Sequence, residues 1–349
     1  MFRMKYGMSI VDRRIYMKEK ITWTEFVEEY ILEKELRTAS EWSYRKVSSC
    51  FAEHLGPFVF PEDVTRRHAL LWRRRVLKVE KRQETTWNNK ASHMNALFNY
   101  AIKRRLFEID ENPFAETKVK AGKKKKKTMR QAQISHAYRV MEAHEEEERR
   151  LGILASRNAL FPAWFWLTMM DTLYYTGMRQ NQLLHLRVGD IFLDENIIRL
   201  GNKGSKNHQE YFLSVVSYLK PRLELILQKA AERGLKKNDL LFNIPVFTGK
   251  DENITEDMGS PPVRSFFRRL SRECGFTMTS HRFRHTLATE MMKLPEQNLY
   301  ITRNVLGHSS MKSTLEYVER DLDAERRVLE KQFAVLKKHK VIEHENEDG

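Results

Sequence analysis

Two arginines, a lysine, two histidines and a tyrosine follow in a fixed order along the second half of this 349-residue chain. They are Arg179, Lys203, His281, Arg284, His308 and Tyr317, in the strings TGMRQNQLLHL, GNKGSKN, HRFRHTLAT and LGHSSMKSTLEYV. Five of them can hold or protonate a phosphate, and the sixth carries a phenolic hydroxyl able to attack one. A phosphodiester under attack gathers negative charge on its non-bridging oxygens. Two guanidiniums can clamp those oxygens bidentately and stay protonated throughout. His281 and Arg284 are three residues apart, a spacing that puts both on one face of a helix. Histidine titrates near neutrality, so His281 can donate to the phosphate or accept the phenolic proton. A phenol is only about 0.1% ionised at neutral pH and needs cations or a base beside it. His281, Arg284 and His308 can supply both. The leaving 5′ oxygen needs a proton in turn, and Lys203 or Lys206, in the same glycine-containing turn, can deliver it. The set suits reversible cleavage of DNA through a covalent tyrosine–phosphate bond, with no metal and no cofactor.

Two domains are expected to carry these groups, in a fold that is mainly α with a small β-sheet. Residues 1–20 read as a basic arm. From 21 to 112 four helical patterns follow one another. Thr24 is expected to cap the first, which carries Phe26, Val27, Tyr30 and Ile31. The others run over 40–55, 65–79 and 85–105. On the last, Trp87, Met94, Leu97, Phe98 and Ala101 form the apolar stripe. Lys90, Arg104 and Arg105 fall mostly off it, where they can meet DNA. Residues 113–130 read as a linker, whose Lys123, Lys124, Lys125, Lys126 and Lys127 can lie along a phosphate backbone.

The second domain, 131–342, is expected to be mixed α/β, with strands at 197–200 and 211–213 around the turn that holds both lysines. Within it, the acidic run 145–148 reads as an exposed helix face. Ser280 is expected to cap the helix of His281, and Gly307 to end the one before His308. Ser309 then opens the helix of Tyr317. Leu322, Leu329, Phe333 and Leu336 mark a last apolar stripe, and 343–349 a disordered acidic tail.

Bulk properties agree with a nucleic-acid partner. The 62 Lys and Arg against 47 Asp and Glu leave a net charge of +15, which predicts a polyanion such as double-stranded DNA. The longest apolar run, 159–170, contains Pro162 and Thr168 and is too short to span a bilayer, so it reads as a buried helix and no membrane is expected. Cys50 and Cys274 lack the spacing of a disulfide framework or a zinc ribbon. His281 and His285 with Cys274 match no standard zinc site.

The ordered set resembles the tyrosine recombinases, the phage-type integrases. TGMRQNQLLHLRVGDI is similar to the family's first box, GNKGSKN to its β-hairpin, and HRFRHTLAT with LGHSSMKSTLEYV to its second box. The resemblance covers about 130–340 and favours Lys203, 24 residues after Arg179, over Lys206. It implies a helical, SAM-like core-binding domain joined to a catalytic domain. Arg179, Lys203, His281, Arg284 and His308 would be the catalytic set and Tyr317 the nucleophile that joins a 3′ phosphate. It further implies a homotetramer on two recombination sites, an accessory directionality factor, and a cytoplasmic, nucleoid-associated bacterial protein. Integration or excision of a mobile element is the expected role. The alternatives are Xer-like dimer resolution, a catalytically silent DNA-binding relative, and a type IB topoisomerase. One departure stands out. The family usually has an acid three residues after the first arginine, and here Gln182 stands there.

Overall fold

The computed structural model describes residues 20–122, 127–152, 158–201, 210–248, 258–293, 295–308 and 310–318, with Arg326 and Glu330. Residues 1–19, Lys123 to Lys126, Lys203, Lys206, Ser309 and the stripe from Leu322 to Leu336 lie outside them. The chain divides into two compact units, with the boundary between Lys124 and Lys125.

The first unit is helical. α1 (Trp23–Lys34) is capped by Thr22 and not by Thr24. The Thr22 hydroxyl accepts the Glu25 N–H and the Glu25 carboxylate accepts the Thr22 N–H. That reciprocal pair satisfies two donors a helix start leaves open. α2 (Thr38–Leu55) stops at Gly56. α3 (Arg66–Arg74) continues through one π turn to Val79, and α4 (Glu84–Arg104) completes the bundle. Trp87, Met94, Leu97, Phe98 and Ala101 are all buried in one core with Phe26, Phe51 and Trp72. Rings meet there edge to face, as Trp72 and Trp87 do at 5.5 Å.

The segment read as a linker is packed as far as Val119. Phe114 stacks on Phe98 at 5.7 Å. The Trp87 indole N–H donates to the Thr117 carbonyl at 2.8 Å, and the Asn88 amide bonds the Val119 backbone in both directions. Asn112-Pro113 therefore ends a helix pattern without ending the core. Two of the cations assigned to DNA are engaged inside this unit. The Lys90 ammonium sits 5.1 Å from the centroid of the Trp72 ring, and Arg104 forks onto Glu33 at 2.6 and 2.7 Å. Arg105, in left-handed backbone at the end of α4, and Lys127 are exposed.

The second unit is built around α6. It opens with α5 (Gln131–Leu151), and the acidic run on α5 is not a bare solvated face. Glu145 pairs with Arg222 at 2.9 Å, Glu146 with Arg149, and the Glu148 carboxylate accepts the Ala163 N–H at 2.8 Å. Glu148 so caps α6 (Ala163–Thr176), where Pro162 brings no capping side chain. α6 is buried along almost its whole length. Its threonines tolerate this because Thr168, Thr172 and Thr176 each donate to the carbonyl four residues back.

After α7 (Gln180–Leu184) comes an antiparallel sheet of β1 (Ile191–Phe192), β2 (Ile197–Leu200) and β3 (Tyr211–Ser214), in that order. Leu200 faces Tyr211 across the last register. β1 and Ser214 extend the two strands expected. Then follow α8 (Lys220–Glu232), α9 (Ile244–Thr248), α10 (Pro261–Cys274), α11 (Ser280–Met291), α12 (Pro295–Leu306) and α13 (Met311–Leu315). No helix among the described residues is long and apolar enough to cross a membrane.

Candidate active site

Each group of the expected set that the structure describes sits at an element's end or on α11. Arg179 is the residue before α7, and its backbone N–H donates to the Gln182 side-chain carbonyl at 2.8 Å. The chain reaches it from α6 through Gly177, whose φ of +62° suits glycine. A Cβ there would come within 2.8 Å of the Leu287 side chain. α11 starts after Thr279, whose hydroxyl accepts the Arg282 N–H. Ser280, expected as the cap, is the first helical residue and donates to the Gln180 side chain at 2.9 Å.

Arg284 projects from α11 into the interior and is 4% exposed. Its guanidinium donates to the carbonyls of Gly177 at 2.7 Å and Leu306 at 2.6 Å. One side chain thus ties the turn before Arg179 to the end of α12. Burial, and then the charge of Arg179, pull Arg284 down to about 10, so it stays protonated near neutrality. The phenols of Tyr317 and Tyr211 oppose that pull.

Gly307 and His308 follow α12 as a tight corner. Gly307 has φ +56°, and a Cβ on it would lie 2.7 Å from the Tyr211 ring. The His308 N–H donates to the Arg303 carbonyl, and its ring Nδ1 lies 2.9 Å from the Thr314 hydroxyl. Tyr317 is not inside a helix. It lies in the turn just past α13, held by its N–H to the Thr314 carbonyl at 3.0 Å. Its side chain is 5% exposed, next to the His308 ring at 6.1 Å between centroids, nearly parallel. Its hydroxyl lies 2.9 Å from His285 Nδ1 and faces the Arg284 guanidinium, whose charge it interacts with.

Arg179, Arg284, His308 and Tyr317 are therefore brought into one basic pocket. His281, on the exposed first turn of α11, lines a neighbouring cleft of about 770 Å³. Lys203 and Lys206 fall outside the described residues.

The phage integrase family matches residues 144–323, just over half of the chain, a span that contains all six residues of the expected set. The chain belongs to that family, the tyrosine recombinases. A Pseudomonas aeruginosa protein described as a XerC tyrosine recombinase is 36% identical over 310 residues, covering 88% of this chain and 71% of that protein. A Pseudomonas syringae counterpart is also 36% identical over 310 residues, but this chain spans only 64% of its length. Among solved structures, the Tn1549 transposon integrase with circular intermediate DNA superposes with a TM-score of 0.65 at 15% identity, over 90% of this chain and 100% of that one. A lambda integrase tetramer on a Holliday junction gives 0.62 at 15% identity, over 89% of this chain and 82% of that one. These two show a shared fold.

Within this tyrosine recombinase, three features have contacts or a placement that the sequence reading did not assign. The first is Gln182, which is 2% exposed. Its carbonyl receives the Arg179 N–H while its amide donates to the Tyr211 hydroxyl at 2.8 Å. A carboxylate offers acceptors only, so an amide is the side chain that can do both with Tyr211 as acceptor. The second is His285, whose spacing from His281 was legible as a shared helix face but suggested a metal pair. The third is Arg264, Arg268 and Arg272, exposed at four-residue intervals on α10 and lining the cleft with His281. That spacing could have been read as a basic stripe.

Proposed function

We propose that this recombinase cleaves and rejoins double-stranded DNA at a specific site through a Tyr317–3′-phosphate bond. The observation that carries this reading is the charge of the pocket. Arg284 is buried beside Arg179 and a phenol, and among the described residues it makes no ion pair with a carboxylate within 4 Å. A buried cation without a counter-ion is costly, and an anion at that point removes the cost. Arg179 and Arg284 clamp the non-bridging oxygens, while His281 and His308 donate to the phosphate as charge develops. Lys203, which lies between β2 and β3 in sequence, protonates the departing 5′ oxygen.

DNA lies along the basic stripe of α10, with Arg105 and the lysines 123–127 on the same duplex. The working assembly is a homotetramer bridging two sites, a reading supported by the lambda integrase tetramer of the same fold. The task is integration or excision of a mobile element, in the bacterial cytoplasm and with an accessory directionality factor. A second reading, Xer-like dimer resolution, is favoured by the XerC name of the 36%-identical relatives.

Cells that carry the gene in its own flanking DNA separate these readings. A circular junction of that DNA, lost in Tyr317→Phe, supports the mobile-element role. Resolution of plasmid dimers without such a circle supports the Xer-like role. DNA binding with no covalent adduct in either setting would mean a silent relative and would sink both.

A further inference from the structure

We propose that His285 is the base that takes the proton of Tyr317, leaving His281 to the phosphate. The proposal rests on the reading of Tyr317 as the nucleophile and adds a catalytic residue to it. His285 Nδ1 lies 2.9 Å from the Tyr317 hydroxyl, with the two ring centroids 5.5 Å apart. His281 is one helical turn earlier, its ring 6.3 Å from that of His285, on the exposed part of α11 beside Arg264 and Arg268. The two histidines share a helix face but look onto different partners, the phenol and the cleft.

Among the described residues, the charged and titratable groups seen facing the phenol include members of two elements. α11 supplies Arg284 and His285, and the corner after α12 supplies His308. Arg179 and Tyr211 act one step removed, through Arg284. His308 already has its Nδ1 at the Thr314 hydroxyl. Arg284 holds no lone pair, so it can only donate to the phenol oxygen. A neutral His285 with its hydrogen on Nε2 presents a lone pair at Nδ1, within reach of the phenolic proton.

The step balances. The Tyr317 O–H bond breaks and an N–H bond forms at His285 Nδ1. The freed oxygen pair makes the O–P bond while the P–O5′ bond breaks, and the 5′ oxygen takes its proton from the general acid, the role given to Lys203. On rejoining, the 5′ hydroxyl attacks and gives its proton back to the general acid, the P–O bond to tyrosine breaks, and the imidazolium returns its proton to the phenolate. The Arg284 charge, which acts on the same phenol, stabilises the phenolate between the two events.

The test uses the full chain and a duplex selected from a randomised pool by binding to it, nicked at successive positions so that cleavage traps the adduct. Single-turnover adduct rates are measured against pH. His285→Ala is expected to be slower by about 100-fold near neutrality. Its rate should then climb about tenfold per pH unit, as expected of a step that waits on hydroxide in place of a base. His285→Asn keeps an acceptor near the same place but cannot retain a proton, and it is expected to be as slow as the alanine variant. Replacing the bridging 5′ oxygen by sulfur, a leaving group that needs no proton, should rescue neither variant. A near-normal rate in His285→Asn overturns the proposal, and so does a slow His285→Ala with the parent's pH profile or with rescue by sulfur. A parent adduct that needs Tyr317 but ignores His285 overturns it alone. No Tyr317-dependent adduct in the parent removes the underlying recombinase reading as well.

Discussion

At the scale of single residues, Arg284 does structural and electrostatic work with one group. Its two carbonyl partners, Gly177 and Leu306, belong to segments far apart in sequence, and its charge faces Arg179 and Tyr317. A lysine has the charge but cannot fork onto both carbonyls. Arg284→Lys is expected to lower unfolding free energy by about 1–3 kcal/mol, measured in urea, because a buried acceptor loses its donor. Adduct formation should fall by roughly 100-fold or more, because the proposed phosphate clamp loses one arm. Gln182 is more tolerant. Gln182→Glu keeps an acceptor for the Arg179 N–H, and the Tyr211 hydroxyl can turn to donate to the carboxylate. Its melting temperature is expected to stay close to the parent's. Gln182→Leu strands both partners and should lose about 1–3 kcal/mol. Equal melting temperatures for the two variants would contradict this use of the amide.

At the scale of elements, the corner after α12 is the joint that sets His308 against Tyr317. Gly307 has both a left-handed φ and the Tyr211 ring at its Cα. Gly234 has a similar φ of +74° with open space around it. Alanine at either position should cost about 1–2 kcal/mol in backbone strain. Gly307→Ala is expected to cost more than Gly234→Ala in thermal melting, and it alone should slow cleavage. The pattern of helices was largely legible, because periodic apolar stripes such as Trp87 to Ala101 report which face is buried. Caps were less so. Thr22 beat Thr24, and Thr279 beat Ser280, because a cap is decided by which hydroxyl reaches an open N–H and not by residue type. The packed run from Phe114 to Val119 was hidden for a related reason. Irregular backbone leaves no period, although its rings and carbonyls can complete a core. Of the site, the residue types and order could be read directly. The partners Gln182–Tyr211 and His285–Tyr317 could not, since each joins elements whose contact only the fold creates.

At the scale of the whole molecule, the excess of 62 basic over 47 acidic residues acts through defined surfaces. Lys90 and Arg104 are tied within the first unit, while Arg264, Arg268 and Arg272 stand exposed in a row. Binding to a duplex should weaken steeply with salt, and each of these three arginines changed to alanine should reduce the slope of log affinity against log salt by about one. Titrations of fluorescent duplex at several salt concentrations check this, and an unchanged slope would remove α10 from the interface.

The central claim is that Tyr317 becomes covalently joined to DNA. The parent chain and Tyr317→Phe are incubated in chelator with the selected nicked duplex, digested with protease and nuclease, and mapped by mass spectrometry. A 3′-phosphonucleotide on Tyr317 of the parent, with none anywhere in the variant, is the expected result. A nucleotide on any other residue, or an adduct that survives in Tyr317→Phe, would contradict it.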